Sequence, residues 1–199
     1  MGLKALLLDL GNVLAFHDNE LLFEKMAAAF GTTREQMRAR VDAKMWERVN
    51  RGSLAGDALR VELTGRLGGQ LTPDEFEALW SCHFRVYQPM VERVRQLRER
   101  FEIVIVSNTH DLHVRYLKRQ IPLLGELKLV ASCETGLIKP EPEIYRRALA
   151  LAQVEPGEAA FFDDLERYVT AARELGIHGR VFNTVEQFDR DLAELTSSS

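Results

Sequence analysis

Five polar side chains stand at or shortly after the ends of apolar runs, and their chemical types indicate metal-assisted chemistry. Asp9 ends the run KALLLD and Ser107 ends EIVIVS. The pair Asp163-Asp164 ends AAFFDD, and Lys139 follows the run LKLVAS. An ionised carboxylate among apolar residues is costly unless it is paired, and three of them together would repel one another. Because hard oxygen ligands suit Mg²⁺, these residues predict a magnesium site that a lysine helps to neutralise.

The same side chains suit phosphoryl transfer. An aspartate beside Mg²⁺ can attack phosphorus and form an aspartyl-phosphate, which makes Asp9 the candidate nucleophile. Lys139 and the cation would bind the phosphoryl oxygens, and Ser107 with the backbone N–H groups after it could do the same. Gly11 has no Cβ, so the backbone can approach a metal or a ligand closely at that position.

The elements that must position these residues alternate along the chain, which predicts an α/β fold. The short, continuous apolar runs predict buried strands at 4–9, 102–107, 127–132 and 159–164, with a weaker one at 179–183. Helix-like segments between them cover 89–100, 141–153 and 165–176, the last ending in a glycine, Gly176, suited to the left-handed position. This order predicts a parallel sheet with helices on both faces. The carboxyl ends of its strands meet at one edge, where open α/β sheets bind ligands.

Residues 15–88 break this alternation, because helix-like segments follow one another without a strand-like run. One of them begins with a capping box, Thr72-x-x-Glu75, with Pro73 at the first helical position. We therefore expect an all-helical insert after the first strand. The predicted division is a core of residues 1–14 and 89–199 and a helical cap of residues 15–88.

Four segments resemble, in order and spacing, the motifs of the haloacid dehalogenase-like hydrolase superfamily: DLGNVL, SNT, KPEPEIY and FFDDLERYVTAARELGIHG. The resemblance implies a Rossmann-like core with a helical cap of the first type. It implies that Asp9 is the nucleophile and that Lys139 neutralises charge. The set that the resemblance assigns to phosphate or substrate binding is Gly11, Asn12, Ser107, Asn108 and Lys139. The set that it assigns to Mg²⁺ is Asp9, the carbonyl of Gly11, Asp164 and Asp163, the last directly or through water.

The sequence departs from that family pattern at two positions. Most phosphatases of the family carry an acid/base aspartate where Gly11 stands, and the fourth motif often has an asparagine where Tyr168 stands. The DLGNV form is similar to a subset of bacterial sugar-phosphate phosphatases that includes an α-glucose-1-phosphate phosphatase. His17 is a candidate proton donor in place of the missing aspartate. His110 and His113 also lie near a strand end, but all three are expected to be ordinary surface histidines.

Other conspicuous side chains are expected to have structural roles. Tyr145 is expected to pack rather than to catalyse. The aromatic side chains expected to form the core of the insert are Trp46, Phe76 and Trp80. We expect a solvated helix face, with one side chain able to reach the substrate, to be formed by Arg34, Arg38, Arg40, Arg48 and Arg51.

These residues favour a Mg²⁺-dependent phosphomonoester hydrolase that acts on a small phosphorylated metabolite. A haloacid dehalogenase is an alternative because Gly11 is compatible with it, although a metal-free site gains nothing from the pair Asp163-Asp164. A non-catalytic binding protein is the second alternative, because the usual acid is missing. A receiver domain is excluded, since its acidic pair lies on the first strand.

Composition limits the partners. The net charge of −4, without a basic block, gives no reason to expect nucleic acid or an anionic membrane as partner. Cys82 and Cys133 lack CxxC spacing, so we expect no metal knuckle or disulfide framework, and a cytoplasmic location. No run suggests a membrane span, and the opening MGLKALLLDL is not expected to be a signal peptide. The tail TSSS is expected to fray, and either a monomer or a homodimer is compatible with the sequence.

Overall fold

The computed structural model describes residues 2–197 and builds them around a parallel β-sheet. The strands are β1 (Ala5–Leu8), β2 (Ala15–His17), β3 (Phe84–Val86), β4 (Glu102–Ser107), β5 (Lys128–Ala131), β6 (Ala159–Asp163) and β7 (His178–Val181). The helices are α1 (Asn19–Ala29), α2 (Arg34–Arg40), α3 (Ala43–Asn50), α4 (Gly56–Leu67), α5 (Pro73–Trp80), α6 (Gln88–Leu97), α7 (Asp111–Gln120), α8 (Ser132–Thr135), α9 (Pro142–Ala152), α10 (Glu166–Glu174) and α11 (Val185–Ser197). None of these helices combines the length and the apolar character needed to span a bilayer.

The central sheet confirms the predicted α/β fold. Its strand order is β5-β4-β1-β6-β7, and every neighbouring pair is parallel. Each strand coincides, within a residue or two at either end, with an apolar run in the sequence. Leu8 of β1 lies opposite Ile105 of β4 and Phe162 of β6, so the carboxyl ends of these strands meet at one edge.

Alternating side chains of β1 face two separate apolar cores, as a sheet covered on both faces requires. Leu6 and Leu8 pack against residues of α6, α7 and α11, whereas Ala5 and Leu7 pack against residues of α9 and α10. The predicted helices at 89–100, 141–153 and 165–176 correspond to α6, α9 and α10. Gly176 follows α10 with φ +84°, in the left-handed region where the sequence placed it.

Helices α1–α5 pack around a third apolar cluster, which Leu112 of α7 joins and in which Phe76 and Trp80 are fully buried and Trp46 is partly buried. Thr72 and Glu75 form the predicted capping box at the start of α5. The segment is not purely helical, because the antiparallel strands β2 and β3 open and close it. The helix-like sequence at 33–50 forms two helices, α2 and α3, because the side chain of Asp42 caps the start of α3.

The end of α3 is tied to the loop before α9. Arg51 donates to both carboxylate oxygens of Glu141, at 2.6 and 3.3 Å, and to the carbonyl oxygen of Gly136 at 2.9 Å. Gly52 has φ +75°, and a Cβ there would lie 2.0 Å from the carbonyl oxygen of Cys133. Only glycine permits so close an approach between the end of α3 and the backbone of α8.

The end of the chain differs from the expectation of fraying. Thr196 and Ser197 belong to α11. Met1, Ser198 and Ser199 lie outside the described residues, so the expectation for the last two stays a prediction.

Candidate active site

Asp9, Asp163 and Asp164 come together at the carboxyl edge of the sheet. Each offers an oxygen within 4.8 Å of the others. The neighbouring strands β1 and β6 produce this arrangement, and the backbone N–H of Asp9 donates to the carbonyl oxygen of Phe162 at 2.9 Å. Asp163 is fully buried and Asp9 nearly so, which makes their charges expensive without a cation.

Lys139 supplies one positive charge to this cluster. Its ammonium lies 2.8 Å from Oδ1 of Asp9 and 2.6 Å from Oδ2 of Asp163, and its side chain is 1% exposed. The ammonium also lies 5.0 Å from the ring centroid of Tyr168, within the range of a cation–π contact. Burial alone lowers the pKa of Lys139, but the two carboxylates together outweigh it and raise that pKa, so the side chain stays protonated.

Burial and the neighbouring negative charges raise the pKa values of two carboxyl groups in this cluster. Burial and the charge of Asp9 raise the pKa of Asp163 to about 6, although Lys139 and the N–H of Leu165 oppose the rise. Burial also raises the pKa of Asp164, against the hydrogen bond from Asn12. With every group ionised, the carboxylates exceed the ammonium by two negative charges. A divalent cation balances such a cluster.

Asn12 holds one side of the cluster through a backbone conformation that few residues adopt. Its φ is +53°, in the left-handed region that asparagine tolerates. Its Nδ2 donates to Oδ2 of Asp164 at 2.8 Å, and its Oδ1 accepts the N–H of His17 at 3.3 Å. Asn12, predicted to bind substrate, therefore fixes Asp164 and the start of the insert.

Gly11 leaves room that the imidazole of His17 takes up. A Cβ on Gly11 would lie 3.4 Å from Nε2 and Cδ2 of His17 and 3.9 Å from Oδ2 of Asp9. Oδ1 of Asp9 already accepts the N–H of Leu10 at 2.7 Å and pairs with Lys139. The position that a Cβ on Gly11 would take is therefore bordered both by the imidazole of His17 and by Oδ2 of Asp9.

The end of β4 contributes Ser107 and Asn108. Ser107 is buried and lines the cavity next to Asp9. Asn108 exchanges two hydrogen bonds with the backbone of Lys139, accepting its N–H at 2.7 Å and donating to its carbonyl oxygen at 2.9 Å. The carboxamide predicted to hold phosphate thus positions the lysine backbone.

A cavity of about 380 Å³ opens over the cluster, between the sheet edge and the helices of the insert. The sheet side contributes Asp9, Gly11, Ser107 and Lys139. Other side chains that line the cavity include Asn19, Trp46, Asn50, His83, Phe84, His110 and His113.

His110 and His113 are not the surface histidines that we expected. They are 1% and 6% exposed, and their ring centroids lie 3.6 Å apart. Burial lowers the pKa of His110 to about 3 and that of His83 to about 4. It also lowers the pKa of His113 well below the ordinary value of imidazole. These three imidazoles are therefore uncharged at neutral pH, whereas His17 is exposed, as expected.

The arginines of the insert do not line this cavity. Arg38 pairs with Glu20, Arg48 with Glu62, and Arg51 with Glu47 and Glu141. The expectation that one of these side chains reaches the substrate is thus not supported by their positions. Arg51 is not simply solvated either, because it contacts the loop that carries Lys139.

Tyr145 has the structural role that the sequence predicts. Tyr145 is fully buried, and its hydroxyl donates to the carbonyl oxygen of Tyr168 at 2.9 Å. Cys82 and Cys133 are both free thiols. Sequence reasoning missed Asn19, Trp46, Asn50 and His83 as lining residues, because no motif shows which face of an inserted helix turns toward the sheet.

Comparison with known proteins identifies relatives over most of the chain. A family model described as hydrolase, haloacid dehalogenase-like hydrolase, matches residues 3–176. The chain is 25% identical to the D-ribitol-5-phosphate phosphatase of Bacteroides thetaiotaomicron over 185 residues, which cover 87% of this chain and 89% of that protein.

A second relative matches only in part. The bifunctional epoxide hydrolase 2 of Rattus norvegicus is 29% identical over 121 residues, which cover 57% of this chain and 22% of that enzyme. The chain therefore matches about a fifth of the length of this relative.

A solved structure extends the likeness to three dimensions. A HAD family enzyme from Bacteroides thetaiotaomicron, in complex with magnesium and inorganic phosphate, superimposes with a TM-score of 0.82 at 25% identity. The match covers 94% of this chain and 100% of that one.

Proposed function

The chain belongs to the haloacid dehalogenase-like hydrolase family and is a hydrolase, and from this premise we propose that it is a Mg²⁺-dependent phosphatase. It would hydrolyse a phosphomonoester of a small metabolite through an aspartyl-phosphate on Asp9. One observation carries the proposal: the carboxylate of Asp9 lies at a cavity together with two other carboxylates and the buried ammonium of Lys139. The phosphatase relative and the neighbour solved with magnesium and phosphate support it.

The donor set fits Mg²⁺, because it consists of hard oxygens with two unbalanced negative charges. We assign the cation to Asp9, Asp164 and the carbonyl of Gly11. Both oxygens of Asp163 already have partners, since Oδ1 accepts the N–H of Leu165 at 2.9 Å and Oδ2 pairs with Lys139. We therefore assign Asp163 to holding the lysine, with contact to the cation through water.

When bound, the cation neutralises the phosphoryl oxygens and orients the phosphate. The nucleophile is the carboxylate of Asp9: Oδ1 holds the N–H of Leu10 and the ammonium of Lys139, which leaves Oδ2 as the oxygen open toward the cation and the phosphate. The new P–O bond forms as the ester P–O bond breaks, and the departing alkoxide takes a proton. Water then attacks phosphorus, loses a proton, and releases phosphate and the free carboxylate of Asp9.

Both steps need a group that moves a proton, and Gly11 cannot supply it. We assign this role to His17, whose Nε2 lies 3.4 Å from the Cβ position of Gly11. Lys139 stabilises the charge that develops on the phosphoryl oxygens, and Ser107 offers a hydroxyl at the same edge. The likeness to sugar-phosphate phosphatases of the DLGNV form stays a proposal.

We further propose that residues 15–88 act as a cap on a core formed by residues 1–14 and 89–199. The insert supplies nearly all of one apolar cluster, which Leu112 completes, and it contributes residues to the cavity over Asp9. In such a division the sheet edge performs the chemistry and the insert selects the substrate.

The test is phosphate release from p-nitrophenyl phosphate by the purified protein, with Mg²⁺ and with EDTA. Asp9→Asn keeps the shape of the nucleophile but removes its charge, and it should lower kcat at least about a thousandfold. Asp74→Asn removes an exposed carboxylate of the insert and should leave kcat unchanged. Equal activity of Asp9→Asn and wild type would refute the proposal. Halide release from 2-chloropropionate in EDTA would replace it with a dehalogenase.

A further inference from the structure

Three residues on helices of the insert line the cavity, Asn19, Trp46 and Asn50, and are here called the distal wall. Asn19 begins α1, and the other two lie on α3. The rings of His83 and His110 line the same cavity. Its chemistry must match the part of the substrate that leaves when phosphate is transferred.

The distal wall carries no positive charge. Among the described residues that line the cavity, Lys139 is the only lysine, and no arginine lines it. The ammonium of Lys139 is already paired with Asp9 and Asp163. Burial keeps His83 and His110 uncharged at neutral pH, because it lowers the pKa of each to about 4 or below. His17 lies at the reacting end, beside Gly11. A carboxylate or a second phosphate on the leaving group would thus lose its hydration without gaining a cation.

The distal wall does carry neutral polar groups that are free to bind a ligand. The carboxamides of Asn19 and Asn50 make no side-chain hydrogen bond to any described residue. Each offers both donors and an acceptor, which is what a hydroxyl group requires in a partner. The indole of Trp46 lies beside them, packed on Trp80 with ring centroids 5.4 Å apart, and offers a flat apolar surface for carbon–hydrogen groups.

We propose that the leaving group is an uncharged, hydroxyl-bearing carbon skeleton, such as a small polyol or sugar, and that Asn50 is its principal selecting residue. This inference rests on the proposed phosphatase function and deepens it. The cavity volume of about 380 Å³ lies near the lower end of ligand cavities and suits a small skeleton. Phosphorylated acids of the same length are poor substrates because the wall offers them no counter-charge.

The test compares substrates that differ only in this charge. Glycerol 3-phosphate and 3-phosphoglycerate share a three-carbon skeleton, and ribitol 5-phosphate and 5-phosphoribonate share a longer one. In each pair the wild-type enzyme should show a kcat/KM at least about tenfold higher for the neutral member. A kcat/KM for the acid that equals or exceeds that of its neutral partner overturns the inference, while phosphatase activity itself would still stand.

Asn50→Arg introduces a cation at the distal wall and should shift the kcat/KM ratio toward the acid at least about tenfold. Asn50→Gln keeps the carboxamide and should preserve the neutral preference. Val61→Arg adds the same charge at a 55% exposed position of the insert that does not line the cavity, so it controls for net charge. Equal shifts in Asn50→Arg and Val61→Arg overturn the role of Asn50. Hydrolysis of no ester in either pair, or of p-nitrophenyl phosphate, with Mg²⁺ refutes the proposed function and this inference with it.

Discussion

Lowering the pH from neutral to about 5 is expected to destabilise this protein through imidazoles that the fold keeps uncharged. His83 and His110 are 4% and 1% exposed, and burial lowers their pKa values to about 4 and about 3 from 6.5. The indole N–H of Trp80 also donates to Nε2 of His110 at 2.6 Å. A proton added at that nitrogen would face another donor.

The sign follows from proton binding in the two states. Below about pH 6.5 the unfolded chain protonates these imidazoles while the folded protein does not, so stability falls as the pH falls toward the folded pKa values. Each histidine then costs about 2 kcal/mol between pH 7 and pH 5, and the two together about 4 kcal/mol. A domain typically has only about 5–15 kcal/mol of stability. The raised pKa of Asp163 has the opposite effect, because its protonation stabilises the folded protein as the pH falls over the same range. Each variant must therefore be compared with wild type at both pH values.

The assay is urea unfolding of wild type, His110→Gln and His178→Gln at about pH 7 and pH 5. His110→Gln keeps an acceptor for the indole of Trp80 but cannot titrate, so its loss of stability should be about 2 kcal/mol smaller than that of wild type. His178 is exposed on the edge strand β7, and its replacement should keep the wild-type loss. An equal loss of stability in all three proteins would refute this reasoning, and with it the conclusion that His110 lines the cavity uncharged.

Three further outcomes are expected. Lys139→Met leaves Asp9 and Asp163 without their ammonium, so it should lower the free energy of unfolding in urea by about 3–5 kcal/mol and reduce kcat at least about a hundredfold. An unchanged free energy of unfolding would show that Lys139 does not stabilise these two buried carboxylates. Arg51→Ala removes a half-exposed contact to Glu141, so unfolding should change by less than about 1 kcal/mol, whereas KM should rise because the insert is less firmly held on the Lys139 loop. Glu141→Gln should reproduce this KM effect, and a KM equal to that of wild type in both variants would contradict it. Mg²⁺ should raise the urea midpoint of wild type with a logarithmic dependence on concentration, and Asp9→Asn should lose most of this protection; protection equal to wild type would place the cation elsewhere.

The sheet and the edge that carries the site were predictable because they depend on local patterns. Buried parallel strands appear as continuous apolar runs, and the polar residue that ends each run marks the same edge of the sheet. Asp9 and Asp163 are adjacent since β1 and β6 are neighbours, an order that the alternation of strands and helices left open. The sequence therefore located the carboxylates and Lys139 without showing which oxygen each would contact.

The insert was less predictable, for two physical reasons. Short strands such as β2 and β3 consist of three residues each, too few for a periodic signal, and they form only because their ends are brought together. The burial of His110 and His113 depends on Trp80, whose indole and carbonyl groups supply hydrogen bonds from α5. The choice of Asn50 and Trp46 as lining residues likewise depends on how α3 is rotated, which no local motif specifies.

The central claim is that phosphate is transferred to the carboxylate of Asp9. Its most direct test is to quench the enzyme during turnover of a phosphomonoester with Mg²⁺, reduce any acyl phosphate with borohydride, and sequence the peptides by mass spectrometry. The account predicts homoserine at position 9, present only with substrate and Mg²⁺ and missing from Asp9→Asn. Steady turnover with an unmodified Asp9, or reduction at another carboxylate, would contradict it.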